Sequence, residues 1–98
     1  MSSVDAWLRE RRPRPPDVLA ASLEGPDVPG AERHQVLAER AVRALDRARA
    51  APGPVRPSAF DLLAADALLT YACEAALETS EPSGALAWIF ERAAAARA

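Results

Sequence analysis

The chain lacks most of the residues that catalytic and metal sites use. It has no lysine, one cysteine (Cys73) and one histidine (His34) among its 98 residues. A single cysteine excludes an internal disulfide and a cysteine-based zinc site. The four glycines form neither of the glycine-rich motifs that cradle phosphates. We therefore expect no catalytic residues, no metal and no cofactor, and so a protein that is not an enzyme.

Long apolar runs are also absent. No stretch approaches the roughly 18 consecutive apolar residues that a membrane-spanning helix needs, and no apolar signal segment follows Met1. A lone thiol suits a reducing compartment. These features predict a cytoplasmic protein that does not associate with membranes.

Large apolar side chains are scarce relative to alanine. The chain has 24 alanines and 24 larger apolar residues besides Cys73, and only 5% of its residues are aromatic. A buried Leu or Phe stabilises a fold by roughly 1.5–3 kcal/mol, and a buried Ala by much less. The core must therefore gain stability from close helix packing, from self-association, or from both.

Strand patterns are missing, and strong helix formers dominate the sequence. Prolines and glycines divide the chain into helices, which we predict at about 4–11, 17–24, 28–51, 58–78 and 81–97. The sequence thus predicts an all-α fold, a small bundle of three substantial helices with a short helical N-terminal arm. Residues 1–26 are the arm with its Pro-rich linker, and residues 27–98 are the bundle core, within a single domain.

Several polar residues are in positions typical of helix N-caps. Ser2 or Ser3 is expected to cap the first helix, Asp27 the third and Ser58 the fourth. The stretch from Pro52 to Pro57 contains three prolines and is predicted to be the loop before the fourth helix.

The third helix carries the only periodic apolar pattern, a seam of mostly small side chains. Such a seam lets a partner helix approach closely. Residues 1–56 carry ten Arg against eight acids, whereas residues 57–98 carry two against six. This asymmetry favours pairing of the two halves or of two copies. The seam consists of Ala31, His34, Leu37, Ala38, Ala41, Ala44, Leu45 and Ala48.

The fourth helix is apolar around more than half of its circumference, so we expect the other helices to pack around it. Its polar stripe, Asp66, Thr70, Glu74 and Glu78, has a four-residue spacing, and its carboxylates could form a metal or acid–base site. We favour a solvated face or a partner for arginines, because burying unpaired carboxylates is costly. His34 and Cys73 are expected to be packing residues.

The N-terminal arm is the feature least explained by packing. Trp7, Leu8 and Arg11 lie on a helix too short to be stable alone, so the arm must dock to be ordered. Its own bundle, a second copy and a different protein are three alternatives. Trp and Arg are the residues enriched at interface hot spots.

Arginines on the third helix form a second candidate surface. Arg40, Arg43 and Arg47 are predicted on the outer face of helix 28–51, where they could contact phosphates. Interleaved acids and a sequence pI near 5.3 argue against nucleic acid as the partner. A nucleic-acid-associated regulatory protein is therefore the alternative function.

The leading prediction is a non-enzymatic protein–protein interaction module that self-associates as a homodimer or binds a protein partner. Its predicted partner-binding residues are Trp7, Leu8, Arg11, Arg40, Arg43 and Arg47.

Overall fold

The computed structural model describes residues 3–50 and 55–96, which form five α-helices and no β-strand. The all-α bundle of three long helices with a short helical N-terminal arm is confirmed. Within the described ranges, no helix is long and apolar enough to cross a bilayer. The helices are α1 (Ser3–Arg9), α2 (Asp17–Leu23), α3 (Arg33–Ala50), α4 (Val55–Leu77) and α5 (Pro82–Ala96).

The start of α3 differs from the prediction. Gly30 has a φ of 81°, a left-handed conformation that interrupts any helix beginning at residue 28. The helix begins after this turn, and the Glu32 backbone N–H donates a hydrogen bond to Gln35 Oε1 at 3.0 Å. Asp27, the predicted cap of this helix, instead caps α1: its carboxylate accepts hydrogen bonds from the N–H groups of Ser3 and Val4, at 2.8 and 3.3 Å.

The start of α4 also differs from the prediction. The helix begins at Val55, so Ser58 lies inside it and is not its N-cap. Pro57 fits this position, because the first turn of a helix does not use its N–H groups for internal hydrogen bonds. Of the predicted loop, residues 52–54 lie outside the described residues, as do the predicted cap Ser2 and the predicted helix end Arg97.

Ion pairs and ring contacts show how the helices run relative to one another. Arg47 pairs with Asp61 at one end of the α3–α4 contact and Arg33 pairs with Glu78 at the other, so these helices are antiparallel. Three contacts follow one another in the same order along α3 and along α5, which shows that these two helices are parallel. They join His34 to Trp88, Glu39 to Arg92 and Arg49 to the Ala96 carbonyl.

The core is centred on α4, which contacts α2, α3 and α5, as its apolar sequence predicted. Its contact with α3 is the most extensive in the molecule. Alanines from both helices are buried there, so the backbones approach closely. The predicted seam of α3 therefore packs against α4 of the same chain. The alanines exposed by 1% or less are Ala38, Ala41 and Ala44 of α3, and Ala64, Ala72 and Ala76 of α4.

The arm belongs to the same core. Val4, Trp7 and Leu8 of α1 and Leu23 of α2 are buried in one cluster with side chains from α3, α4 and α5. Helices α1 and α2 therefore pack directly on the bundle and do not stand apart from it.

Enlarging a seam alanine tests the close approach of α3 and α4. Ala41→Leu should lower the free energy of unfolding by about 1–3 kcal/mol, because three added carbons must enter a filled core. Arg43→Leu, on the exposed side of α3, is the matched control and should change it by less than about 0.5 kcal/mol. Urea unfolding followed by circular dichroism measures both. Equal effects would contradict close packing at Ala41.

Candidate interaction surfaces

Arg40 does not lie on the outer face of its helix, so its prediction as a surface residue is wrong. Its side chain is only 4% exposed and forms an ion pair with Asp5 of α1, with 2.8 Å between Nη1 and Oδ1. The prediction assumed that the side of α3 that carries Arg40 faces solvent. The arm covers α3 on that side, and nothing in the local sequence reveals this.

The guanidinium of Arg40 also holds the chain after α2. It donates to the carbonyl oxygens of Leu23 at 3.0 Å, Gly25 at 2.6 Å and Pro26 at 3.3 Å. A Cβ on Gly25 would lie 3.0 Å from Arg40 Nε. The lack of a side chain at Gly25 is what lets this backbone wrap closely around the guanidinium.

Trp7 and Leu8 are buried in their own chain, each only 7% exposed. The Trp7 Nε1–H donates to Glu78 Oε1 at 2.9 Å, and the ring meets Tyr71 edge-on at 6.4 Å between centroids. The Arg11 guanidinium lies 3.9 Å from the centre of the Trp7 ring. Of the three alternatives for the arm, the structure shows docking on its own bundle.

Glu78 forms polar contacts with both the arm and α3. Besides the Trp7 indole, it pairs with Arg11 at 3.7 Å and with Arg33 at 3.4 Å. The end of the predicted acidic stripe is therefore a partner for arginines, as expected. No group of three or more His, Cys, Asp or Glu side chains in the described part of the chain is placed to hold a metal ion.

Two of the three predicted arginines on α3 are exposed. Arg43 has no ion-pair partner among the described residues, and Arg47 binds Asp61 at 3.2 Å. Without Arg40, and with Arg47 engaged by a carboxylate, the predicted phosphate-binding face is reduced to one unpaired arginine.

The single histidine and the single cysteine are packing residues. His34 is buried at the start of α3, edge-on to Trp88 at 5.8 Å, with its Nδ1 3.3 Å from a Glu32 carboxylate oxygen. Cys73 is half-buried on α4, and burial raises the pKa of its thiol. A raised pKa lowers the thiolate fraction, which is opposite to what a nucleophile needs.

The sequence analysis missed an exposed apolar surface on α4 and α5. Leu62, Leu63 and Leu77 of α4 are 50%, 59% and 64% exposed, and Phe90 of α5 is 63% exposed. The signal was present, because a helix apolar on most sides needs neighbours on most sides. We expected the other helices to supply them, but they cover only part of α4.

Comparison with known proteins gives no match: no protein family, curated protein or solved structure is significantly similar to this chain.

Removing the buried arginine should destabilise the fold strongly. Arg40→Ala removes the buried ion pair with Asp5 and leaves three carbonyl oxygens without the guanidinium donor. We expect the free energy of unfolding to fall by about 3–5 kcal/mol. The control Arg47→Ala removes an exposed ion pair and should cost less than about 1 kcal/mol. Urea titration of both variants measures the difference, and similar losses would show that the Arg40 network contributes no more than a surface pair.

Trp7 should determine whether the arm stays docked. In Trp7→Ala we expect the amides of α1 to lose protection from hydrogen exchange, because the remaining short helix is marginal by itself. Amides in the middle of α3 and α4 should stay protected. Glu10→Ala, an exposed change on the arm, is the control and should leave α1 unchanged. Hydrogen exchange read by mass spectrometry distinguishes the two, and unchanged protection of α1 in Trp7→Ala would contradict a docking role for the indole.

Proposed function

We propose that this protein is a non-enzymatic interaction module that binds a helical segment of another protein through α4 and α5. The observation that carries the proposal is the set of large apolar side chains that the fold leaves in solvent on these two helices. They are Leu62, Leu63, Leu77 and Phe90. A cluster of exposed apolar side chains on a small protein is typical of a protein interaction site, and Leu62 and Leu63 are adjacent on α4.

Four of the six residues predicted to bind a partner pack within their own chain. This also favours α4 and α5 as the binding surface. Trp7, Leu8 and Arg40 are buried, and Arg11 is held between Trp7 and Glu78. A partner would have to displace the arm to reach them. The exposed leucines of α4 need no rearrangement to bind.

Self-association has less support than the sequence suggested. The small-residue seam that favoured a homodimer is buried against α4 of the same chain. The net charge of −4 on residues 57–98 places like charges together when two copies join through this region. A different protein is therefore the partner we propose, and a second copy is an outcome that the experiments distinguish.

A paired set of variants tests this function. The double variant Leu62→Ser/Leu63→Ser should lose at least about fivefold of the partner captured by the wild-type chain from an extract of its source cells, because it removes central apolar anchors. The matched control, Val18→Ser/Val28→Ser, changes two exposed valines outside α4 and should capture as much as wild type. Thermal unfolding of both must match wild type, since all four side chains are exposed.

Two results would contradict the proposal. One is capture of the same proteins in the same amounts by all three chains. The other is sedimentation equilibrium that shows a wild-type dimer dissociated by the leucine double variant, which would make the partner a second copy.

A further inference from the structure

A cleft opens at the end of the bundle where α3 and α5 begin and α4 ends. It has a volume of about 260 Å³, and it is lined by residues at the starts of α3 and α5 and by the turn after α4. These segments meet because α3 and α5 are parallel and α4 is antiparallel to α3. The side chains that give the cleft its chemistry are Glu32, His34, Thr79, Glu81 and Trp88.

His34 is buried beside this cleft, and its packing leaves one ring nitrogen without a hydrogen bond. Its side chain is 4% exposed, and its ring is edge-on to Trp88. No described residue forms a hydrogen bond with Nδ1, although a Glu32 carboxylate oxygen lies 3.3 Å from it. A buried polar atom without a hydrogen bond is rare in a native fold and needs an explanation. A donor that bridges Nδ1 and the carboxylate would supply one.

Most of the polar side chains in the cleft are hydrogen-bond acceptors. Glu32 and Glu81 present carboxylates, and no described residue forms an ion pair with Glu81. The Thr79 hydroxyl donates its proton to the Ala76 carbonyl at 2.7 Å, so only its oxygen lone pairs remain for another group. A ligand that fits this cleft is therefore one that donates hydrogen bonds.

The charge of the cleft is negative. Glu32 and Glu81 line it, and none of the described arginines does. Arg33, next to His34 in the chain, is engaged by Glu78 at 3.4 Å. The dipoles of α3 and α5 are positive at this end, but each amounts to only about half a charge, so the two carboxylates offset both. The cleft therefore favours a cation over an anion.

Two further residues shape the cleft. Trp88 is half-buried and lines it, and an indole is the aromatic surface that attracts organic cations best. Gly84, in the first turn of α5, also lines it, and a Cβ at this position would meet no atom within 4 Å. Glycine is a poor helix former, and the packing of the chain does not require it here. Its lack of a side chain keeps the cleft open.

We propose that this cleft binds the ammonium group of a small aliphatic amine. An ammonium has three N–H donors, which can bridge His34 Nδ1 and the Glu32 carboxylate and still reach a further acceptor. Glu81 supplies a second counter-charge, and Trp88 contacts the alkyl carbons beside the charge. A metal ion fits less well, because no three ligating side chains come together in the described part of the chain.

An NMR titration tests the inference. His34 is the only histidine of the 98 residues, so its imidazole signals are assigned without ambiguity. Three probes of similar length, butylammonium, 1-butanol and butyrate, are added to the chain at constant pH and ionic strength. We expect butylammonium to shift the His34 signals in a saturable way. It should bind at least about tenfold more tightly than the other two, because only its hydrogen bonds to the carboxylates are charge-assisted.

Two variants and a control locate the binding site. Glu81→Gln removes a carboxylate of the cleft, and Gly84→Leu places a side chain in its open space. Each should weaken butylammonium at least about tenfold. Asp66→Asn removes an exposed carboxylate that does not line the cleft, and it should bind as wild type does. Thermal unfolding must show that the variants keep the fold, which we expect for Gly84→Leu because its Cβ meets no other atom.

The outcomes separate this inference from the proposed function. Butyrate or 1-butanol that binds as tightly as butylammonium overturns the amine, and the absence of any saturable shift overturns the site. Equal affinities of Glu81→Gln and Asp66→Asn overturn its location. Leu62→Ser/Leu63→Ser should bind butylammonium as wild type does, since neither leucine lines the cleft. Failure at the cleft therefore leaves the apolar interaction surface in place.

Discussion

The buried ion pair between Arg40 and Asp5 is the constraint on which the rest of the structure depends. A guanidinium inside a small core must have its charge and its N–H groups matched, or the fold loses several kcal/mol. Asp5 supplies the charge, and the carbonyl groups of Leu23, Gly25 and Pro26 accept hydrogen bonds from the two terminal nitrogens of the guanidinium. One side chain thus fixes α1, the chain after α2 and the middle of α3.

This fixed arm decides which surfaces are available. Once α1 is held by Arg40, its Trp7 is placed against Tyr71 and Glu78, and the aromatic residue that best fits an interface hot spot becomes part of the core. Docking of the arm covers one side of α4. Leu62, Leu63 and Leu77 of α4 stay exposed, and these are the residues that we assign to a partner.

Small side chains impose a second constraint. Alanines let α3 and α4 pack closely, but each contributes little apolar area, so stability depends on the close approach. The α3 seam is occupied by this contact with α4 of the same chain, so none of it remains for a second copy. The other described helices do not surround α4, so Leu62, Leu63 and Leu77 remain in solvent.

Local sequence determined the helices, because composition, proline placement and periodicity act over one or two turns. The all-α fold, the three long helices, the central role of α4 and the burial of His34 follow from those signals. The cap prediction for Asp27 failed because this residue acts over a distance, on α1, and because the turn at Gly30 delays the start of α3. Only the tertiary structure decided that Arg40 is buried, that the arm docks on its own bundle and that large apolar side chains of α4 and α5 stay exposed. These outcomes depend on which distant side chains meet, and the hydrophobic period of a single helix does not say which segments of the chain will cover it.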